Sequence, residues 1–110
     1  MAQGFRLHPL AAKDITDIWR HIASDSPHAA RRVRVQILDA IRGLVRFPHQ
    51  GHKRADLTGR PLRFTRVYDY LIAYAPDEKP LWVVAVMHGR RSPQVMAAIA
   101  PFVALSSTTT

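Results

Sequence analysis

Basic side chains that can bind phosphate are concentrated in the middle and near the end of this 110-residue chain. The sequence has 16 Lys and Arg residues against 8 Asp and Glu, 13 of the 16 being Arg, and its formal net charge is +8. Arg binds phosphate or carboxylate through paired N–H donors and can stabilise charge in a transition state. We predict that the residues binding a target or partner are Lys53, Arg54, Arg60, Arg63, Arg66, Arg90 and Arg91. The pattern indicates a polyanionic or acidic partner, with a solvated basic face as the alternative.

His88 is the second candidate for chemistry. It follows the most continuously apolar segment, residues 81–87, and precedes Gly89, Arg90 and Arg91. A histidine at a strand end can act as a general acid or base near neutral pH, and neighbouring arginines can hold a phosphate. The same residues also fit a histidine that bonds a neighbouring backbone group beside a turn glycine. Spacing alone leaves both interpretations open.

Several other chemistries are excluded by composition. The chain has no cysteine, which excludes disulfides, thiolate zinc sites and a cysteine nucleophile. His49 and His52 lie beside Lys53 and Arg54, which would repel a cation, and the chain has a single glutamate, so we predict no metal site. Gly-x-Ser-x-Gly and glycine-rich phosphate loops are absent, and we expect no cofactor. Without a signal-peptide pattern or a long apolar run, we expect a soluble, cytoplasmic protein that binds no membrane.

Two helices are predicted to form an antiparallel hairpin after a short strand at residues 5–8. Apolar residues recur every three or four positions from Leu10 to Ala23, which is typical of an amphipathic helix. Ser26 followed by Pro27 is typical of a helix start, and the second helix should end at Phe47-Pro48. Trp19, on the first helix, is predicted to be a core residue.

Three strands are predicted to follow a loop at residues 49–60. They span residues 62–67, 70–75 and 81–87, and connections this short permit only antiparallel hairpins. Tyr70 and Tyr74 should share one face, and Trp82 should lie in the core. Ser92-Pro93 is compatible with a short third helix.

These elements predict an α+β fold. A small antiparallel sheet packs against an N-terminal helical hairpin, in the order β-α-α-β-β-β with a possible short C-terminal helix. We expect one domain over residues 1–105 and a disordered tail over residues 106–110.

Five spaced motifs resemble the RelE/ParE superfamily of type II toxin–antitoxin toxins, and the resemblance covers roughly residues 4–95. They lie at residues 12–23, at Phe47-Pro48-x-x-Gly51, at Asp56-Leu57-x-Gly59-Arg60-x-x-Arg63, at residues 70–74, and at residues 83–91. The resemblance implies a small basic toxin that is neutralised by an acidic antitoxin. The net charge of +8 suits such a partner independently.

Two activities occur in this superfamily. ParE-like members inhibit DNA gyrase and stabilise cleaved DNA, whereas RelE-like members cut mRNA on the ribosome. The ending Met87-His88-Gly89-Arg90-Arg91 resembles the ParE-like branch, and no tyrosine follows Tyr74, so we favour a gyrase inhibitor that is not an enzyme.

The first alternative is a ribosome-dependent endoribonuclease without a metal. In that case Lys53, Arg63, His88 and Arg90 would be catalytic, with His88 as acid or base and the arginines stabilising the phosphorane. The second alternative is an inactive relative that only binds its antitoxin.

Overall fold

The computed structural model describes residues 4–54 and 61–88, and these form two helices and four strands. The elements are β1 (Phe5–Leu7), α1 (Pro9–Ala23), α2 (Pro27–Arg46), β2 (Arg63–Val67), β3 (Tyr70–Ala75) and β4 (Leu81–His88). This order confirms the predicted α+β arrangement. The helix suggested after Ser92 and the suggested tail lie outside the described residues.

Both helices begin at a side-chain cap followed by proline. Ser26 Oγ accepts the Ala29 N–H at 3.2 Å, which confirms the predicted start of α2. In α1 the cap is His8, whose Nδ1 accepts the Leu10 N–H at 3.0 Å. Burial lowers the pKa of His8, which keeps its ring neutral and able to accept this bond. Because His8 serves as the cap, α1 begins at Pro9, one residue earlier than the periodicity predicts.

The sheet has the strand order β1-β4-β3-β2 and is mixed. β2 with β3 and β3 with β4 are antiparallel, as the short connections predict. β1 pairs with β4 in parallel, with Phe5 opposite Leu81, so the sheet is not wholly antiparallel. The intervening helices and strands provide the long connection that a parallel pair requires.

The main core lies between the helices and one face of this sheet. α2 contributes Ile37, Ile41 and Leu44, and these are packed in one cluster with β3 and β4 side chains that include Ile72 and Val86. Tyr70 and Tyr74 both belong to this face, as the strand period predicts. A second cluster is formed by residues of β2, β3 and β4 with Leu62: Leu62, Phe64, Ala73, Val84, Ala85 and Met87.

The two tryptophans differ from the predicted core placement. Trp19 is 41% exposed, so that prediction is wrong. At 3.6 residues per turn, Trp19 lies about 70° from the centre of the apolar stripe of α1, at the margin of the buried face. Trp82 is only partly buried and stacks on His8, with the ring centroids 5.9 Å apart. The Arg6 guanidinium lies 5.4 Å from its ring centroid.

Within the described residues, neither helix combines the length and apolar character needed to cross a membrane.

Candidate functional site

The loop after α2 is anchored by the buried side chain of Tyr74. The Tyr74 hydroxyl donates to the Pro48 carbonyl at 2.7 Å and accepts the Gly51 N–H at 3.0 Å. Burial raises the pKa of Tyr74, an effect that the Gly51 N–H and the Arg63 charge partly oppose. The hydroxyl therefore remains protonated, and it can keep donating to Pro48 while it accepts from Gly51.

Gly51 allows the loop to approach β2 closely. A Cβ at this position would collide with the Tyr74 hydroxyl and lie 2.9 Å from the Phe64 carbonyl oxygen. The next residue, His52, exchanges two backbone hydrogen bonds with Phe64, both 2.8 Å long. This bridge fixes the loop along the outer edge of the sheet, so Lys53 and Arg54 follow directly beside β2.

Arg63 is part of the support for this loop. Its guanidinium donates to the Gly51 carbonyl at 2.7 Å, and the residue is partly buried. Lys53 is exposed and Arg54 is partly buried. The structure therefore brings Lys53, Arg54 and Arg63 to one end of β2, and we call these three residues the basic loop cluster.

Arg66 belongs to a different surface. It lies three residues from Arg63 on β2, and because successive side chains alternate, the two point to opposite faces of the sheet. Arg66 is exposed, donates to the Tyr68 carbonyl at 3.0 Å and lies 3.8 Å from Asp69. The remaining predicted binding residues, Arg60, Arg90 and Arg91, lie outside the described residues.

His88 ends β4 beside helix α1. It pairs across the sheet with Tyr70, and the two rings meet edge to face with centroids 5.7 Å apart. Both rings line a cleft of about 390 Å³, together with Asp14, Asp17, Ile18, His21, Val86 and Met87. His88 is therefore placed among carboxylates and a second imidazole.

Asp14 connects α1 to β4 in the wall of this cleft. Its carboxylate accepts the Val86 N–H at 3.0 Å. Burial raises the pKa of Asp14, and the hydrogen bond from Val86 lowers it again in part. Sequence reasoning missed Asp14, although a carboxylate next to the apolar stripe of α1 was a usable signal. Among the described residues no group of three or more His, Asp or Glu side chains could hold a metal ion.

The structure does not bring Arg63 and His88 together. Arg63 lies opposite Tyr74, whereas His88 lies opposite Tyr70, four residues along β3. At about 3.3 Å per residue this is roughly 13 Å along the strands, and one further strand lies between them. The Arg63 guanidinium is also hydrogen-bonded to the Gly51 carbonyl. A general acid or base at His88 would act without the Arg63 guanidinium.

The fold is shared with a solved protein of a toxin–antitoxin system. The chain is similar to a chain of the "Chromosomal ParDE TA system from P. aeruginosa", with a TM-score of 0.65 and 16% sequence identity. The match covers 76% of this chain and 92% of that chain. At this identity the likeness shows the fold alone, that of a small α+β protein from such a system.

Comparison of the sequence with known families identifies the family of this chain. Residues 5–93 match the family described as the ParE toxin of the type II toxin–antitoxin system, parDE. The chain belongs to the ParE toxin family and is a type II toxin, as the RelE/ParE resemblance indicates. No curated protein sequence matches the chain significantly.

Proposed function

We propose that this protein acts by inhibiting DNA gyrase and stabilising cleaved DNA. The observation that supports this most strongly is the match to the ParE toxin family over residues 5–93, since gyrase is the target that the ParE-like branch implies. The separation of Arg63 from His88 gives further support. A toxin that acts by binding needs no such pair, whereas the endoribonuclease alternative requires His88 and Arg63 to act on one phosphate.

The basic loop cluster is the surface we assign to gyrase or to its bound DNA. Tyr74 and Gly51 hold the loop against β2, so Lys53 and Arg54 are presented from a fixed backbone. A binding surface that is ordered in advance loses less conformational entropy on association. Arg63 contributes mainly by holding Gly51.

We also propose that an acidic antitoxin neutralises the protein. The structural neighbour comes from a ParDE system, and the net charge of +8 favours association with an acidic segment. Such a segment would be steered toward the toxin over distances of about a Debye length, near 10 Å at 0.1 M salt.

A gyrase supercoiling assay with the purified chain tests the target. Supercoiled, relaxed and cleaved plasmid are resolved with and without ATP, and we expect loss of supercoiling and accumulation of cleaved plasmid. Normal supercoiling at excess toxin would overturn the proposal. Growth arrest on induction together with normal supercoiling would instead indicate the ribosome, and induction without arrest would indicate an inactive relative.

A pair of matched variants tests the assigned surface in the same assay. We expect Lys53→Gln to reduce cleaved plasmid several-fold. Lys79→Gln removes the same charge from another exposed position, in the turn before β4, and should leave cleavage unchanged. Equal effects of the two variants would show that only the net charge matters.

A further inference from the structure

The outer face of α2 is an exposed surface that is rich in arginine. Because an α-helix repeats every 3.6 residues, a spacing of three and four places a set of exposed residues on one face. These residues, which we call the α2 ridge, are His28, Arg31, Arg32, Val35, Asp39, Arg42 and Arg46. They lie opposite the buried face that carries Ala30, Ile37, Ile41 and Leu44.

The ridge has an excess of positive charge that its neighbours do not neutralise. It contains four arginines and one aspartate, an excess of three positive charges with His28 neutral. Asp39 pairs with Arg42 at 2.8 Å. Arg31, Arg32 and Arg46 form no ion pair with any other residue in ranges 4–54 and 61–88.

The ridge is also long and held by the core. From His28 to Arg46 a helix rises about 27 Å at 1.5 Å per residue, which matches about eight base pairs of duplex DNA. Ile37, Ile41 and Leu44 fix the helix against the sheet from the opposite side. The guanidinium groups therefore extend from a backbone that does not need to be ordered on binding.

The composition of the ridge favours phosphate over a protein segment. An amphipathic helix that docks on a surface inserts apolar anchors at successive turns and needs apolar positions to receive them. Val35, which is 48% exposed, is the one apolar side chain of the ridge. Binding on this face must therefore come mainly from guanidinium groups, whose paired donors fit phosphate oxygens.

We propose that the α2 ridge binds the phosphate backbone of duplex DNA without sequence preference. This surface is separate from the basic loop cluster and does not depend on gyrase being the target. Contacts of this kind release counterions, so the affinity must fall steeply with salt. In a toxin bound to gyrase, the ridge would add a contact with the DNA near the enzyme.

The test measures fluorescence anisotropy of a labelled duplex of about 20 base pairs with the full chain across a salt series. If the four arginines contact phosphates, log K should fall with log salt with a slope near −4, since each contact contributes about −0.9. In Arg31→Gln/Arg32→Gln the slope should become shallower by about 2, and the affinity in low salt should fall more than tenfold. Gln has nearly the helix propensity of Arg, and neither arginine loses an ion pair, so the variant should fold.

The matched control is Arg20→Gln/Arg34→Gln, which removes two exposed charges outside the ridge. It should keep the wild-type slope, and circular dichroism should show equal folding for all three proteins. Equal loss in both variants would overturn the proposal, as would an absence of DNA binding in low salt. If the ridge variant lost affinity for labelled polyglutamate but not for DNA, the ridge would instead be a surface for an acidic protein. No gyrase is present, so this result is independent of the gyrase assay.

Discussion

Tyr74 connects the core to the basic loop through a single hydroxyl group. The ring is fully buried on the helix side of the sheet, and the oxygen reaches both Pro48 and Gly51. The position of Lys53 therefore depends on a side chain that never contacts a target. In many proteins a rigid scaffold positions the functional loops in this way.

Tyr74→Phe tests this connection. The change removes one donor and one acceptor, and it leaves the Gly51 N–H and the Pro48 carbonyl without that partner. We expect a loss of about 1–3 kcal/mol in the free energy of unfolding, measured by urea denaturation, and faster hydrogen exchange at the Gly51 amide. The exposed Tyr68 provides the control, because Tyr68→Phe should leave both quantities unchanged.

Asp14 provides a prediction about pH. Burial raises its pKa in the folded protein, so in the pH range from its ordinary value of 3.8 up to the raised value the folded state binds more protons than the unfolded state. This contribution to stability is therefore present at low pH and is lost as the pH rises through that range. Asp14→Asn removes this titration. The stability that the variant loses relative to wild type should therefore be larger near pH 4 than near pH 7.

Chemical denaturation of wild type and variant at both pH values measures this difference. The control is Asp39→Asn, whose carboxylate is exposed on α2 beside Arg42. If Asp14→Asn changed stability equally at both pH values, the effect would come from lost packing and not from titration.

At the scale of elements, α2 is the main structural support of the molecule. It supplies four buried side chains to the core, leads directly into the anchored loop and carries the α2 ridge on its outer face. Its start depends on local chemistry, since Ser26 caps the helix and Pro27 occupies its first turn. The orientation of the ridge therefore depends on how firmly this one helix is held.

Ser26→Ala removes the cap of α2. We expect a loss of about 1 kcal/mol, seen as a decrease in Tm of roughly 4–8 °C, because the Ala29 N–H loses its acceptor. Ser24→Ala is the matched control. The Ser24 hydroxyl donates to the His21 carbonyl in an exposed position, where water can replace the hydroxyl. The Tm of Ser24→Ala should therefore change by much less than that of Ser26→Ala. Equal shifts would argue against the cap as the cause.

For the whole molecule, the dominant property is the net charge of +8 spread over several faces. The basic loop cluster lies at the sheet edge, the α2 ridge covers the outer helix, and Arg66 lies on the other sheet face. Asp14 and Asp17 line the cleft beside His88, and Asp17 is paired there with Lys13 at 2.7 Å. A partner that approaches from solution meets a positive potential over much of this surface before it makes any specific contact.

Salt should therefore affect how fast partners associate. With the acidic antitoxin we propose, the association rate should fall at least tenfold between about 0.05 M and 0.5 M salt, while the dissociation rate changes much less. Stopped-flow mixing measures the association rate, and a chase with unlabelled toxin measures the dissociation rate. If salt changed only the dissociation rate, the charges would act through contacts made in the complex and not through long-range attraction.

The sequence by itself determined the elements, the family and the charge. Helix α2 was predictable over its whole length because Ser26-Pro27 and Phe47-Pro48 act on the backbone within a few residues of themselves. The antiparallel order of β2, β3 and β4 followed from short connections, and the family from motifs with fixed spacing. The parallel pairing of β1 was not predictable, because it depends on where the helical hairpin returns the chain.

Only the tertiary structure decided which polar side chains meet. Arg63 bonds Gly51 twelve residues away, and Asp14 bonds the backbone of Val86 seventy-two residues away. Composition and periodicity describe neighbours along the chain and cannot show that His88 and Asp14 line one cleft or that Arg63 holds a loop. Such contacts are fixed by packing, because a buried polar group binds whichever partner the folded core places within hydrogen-bond reach.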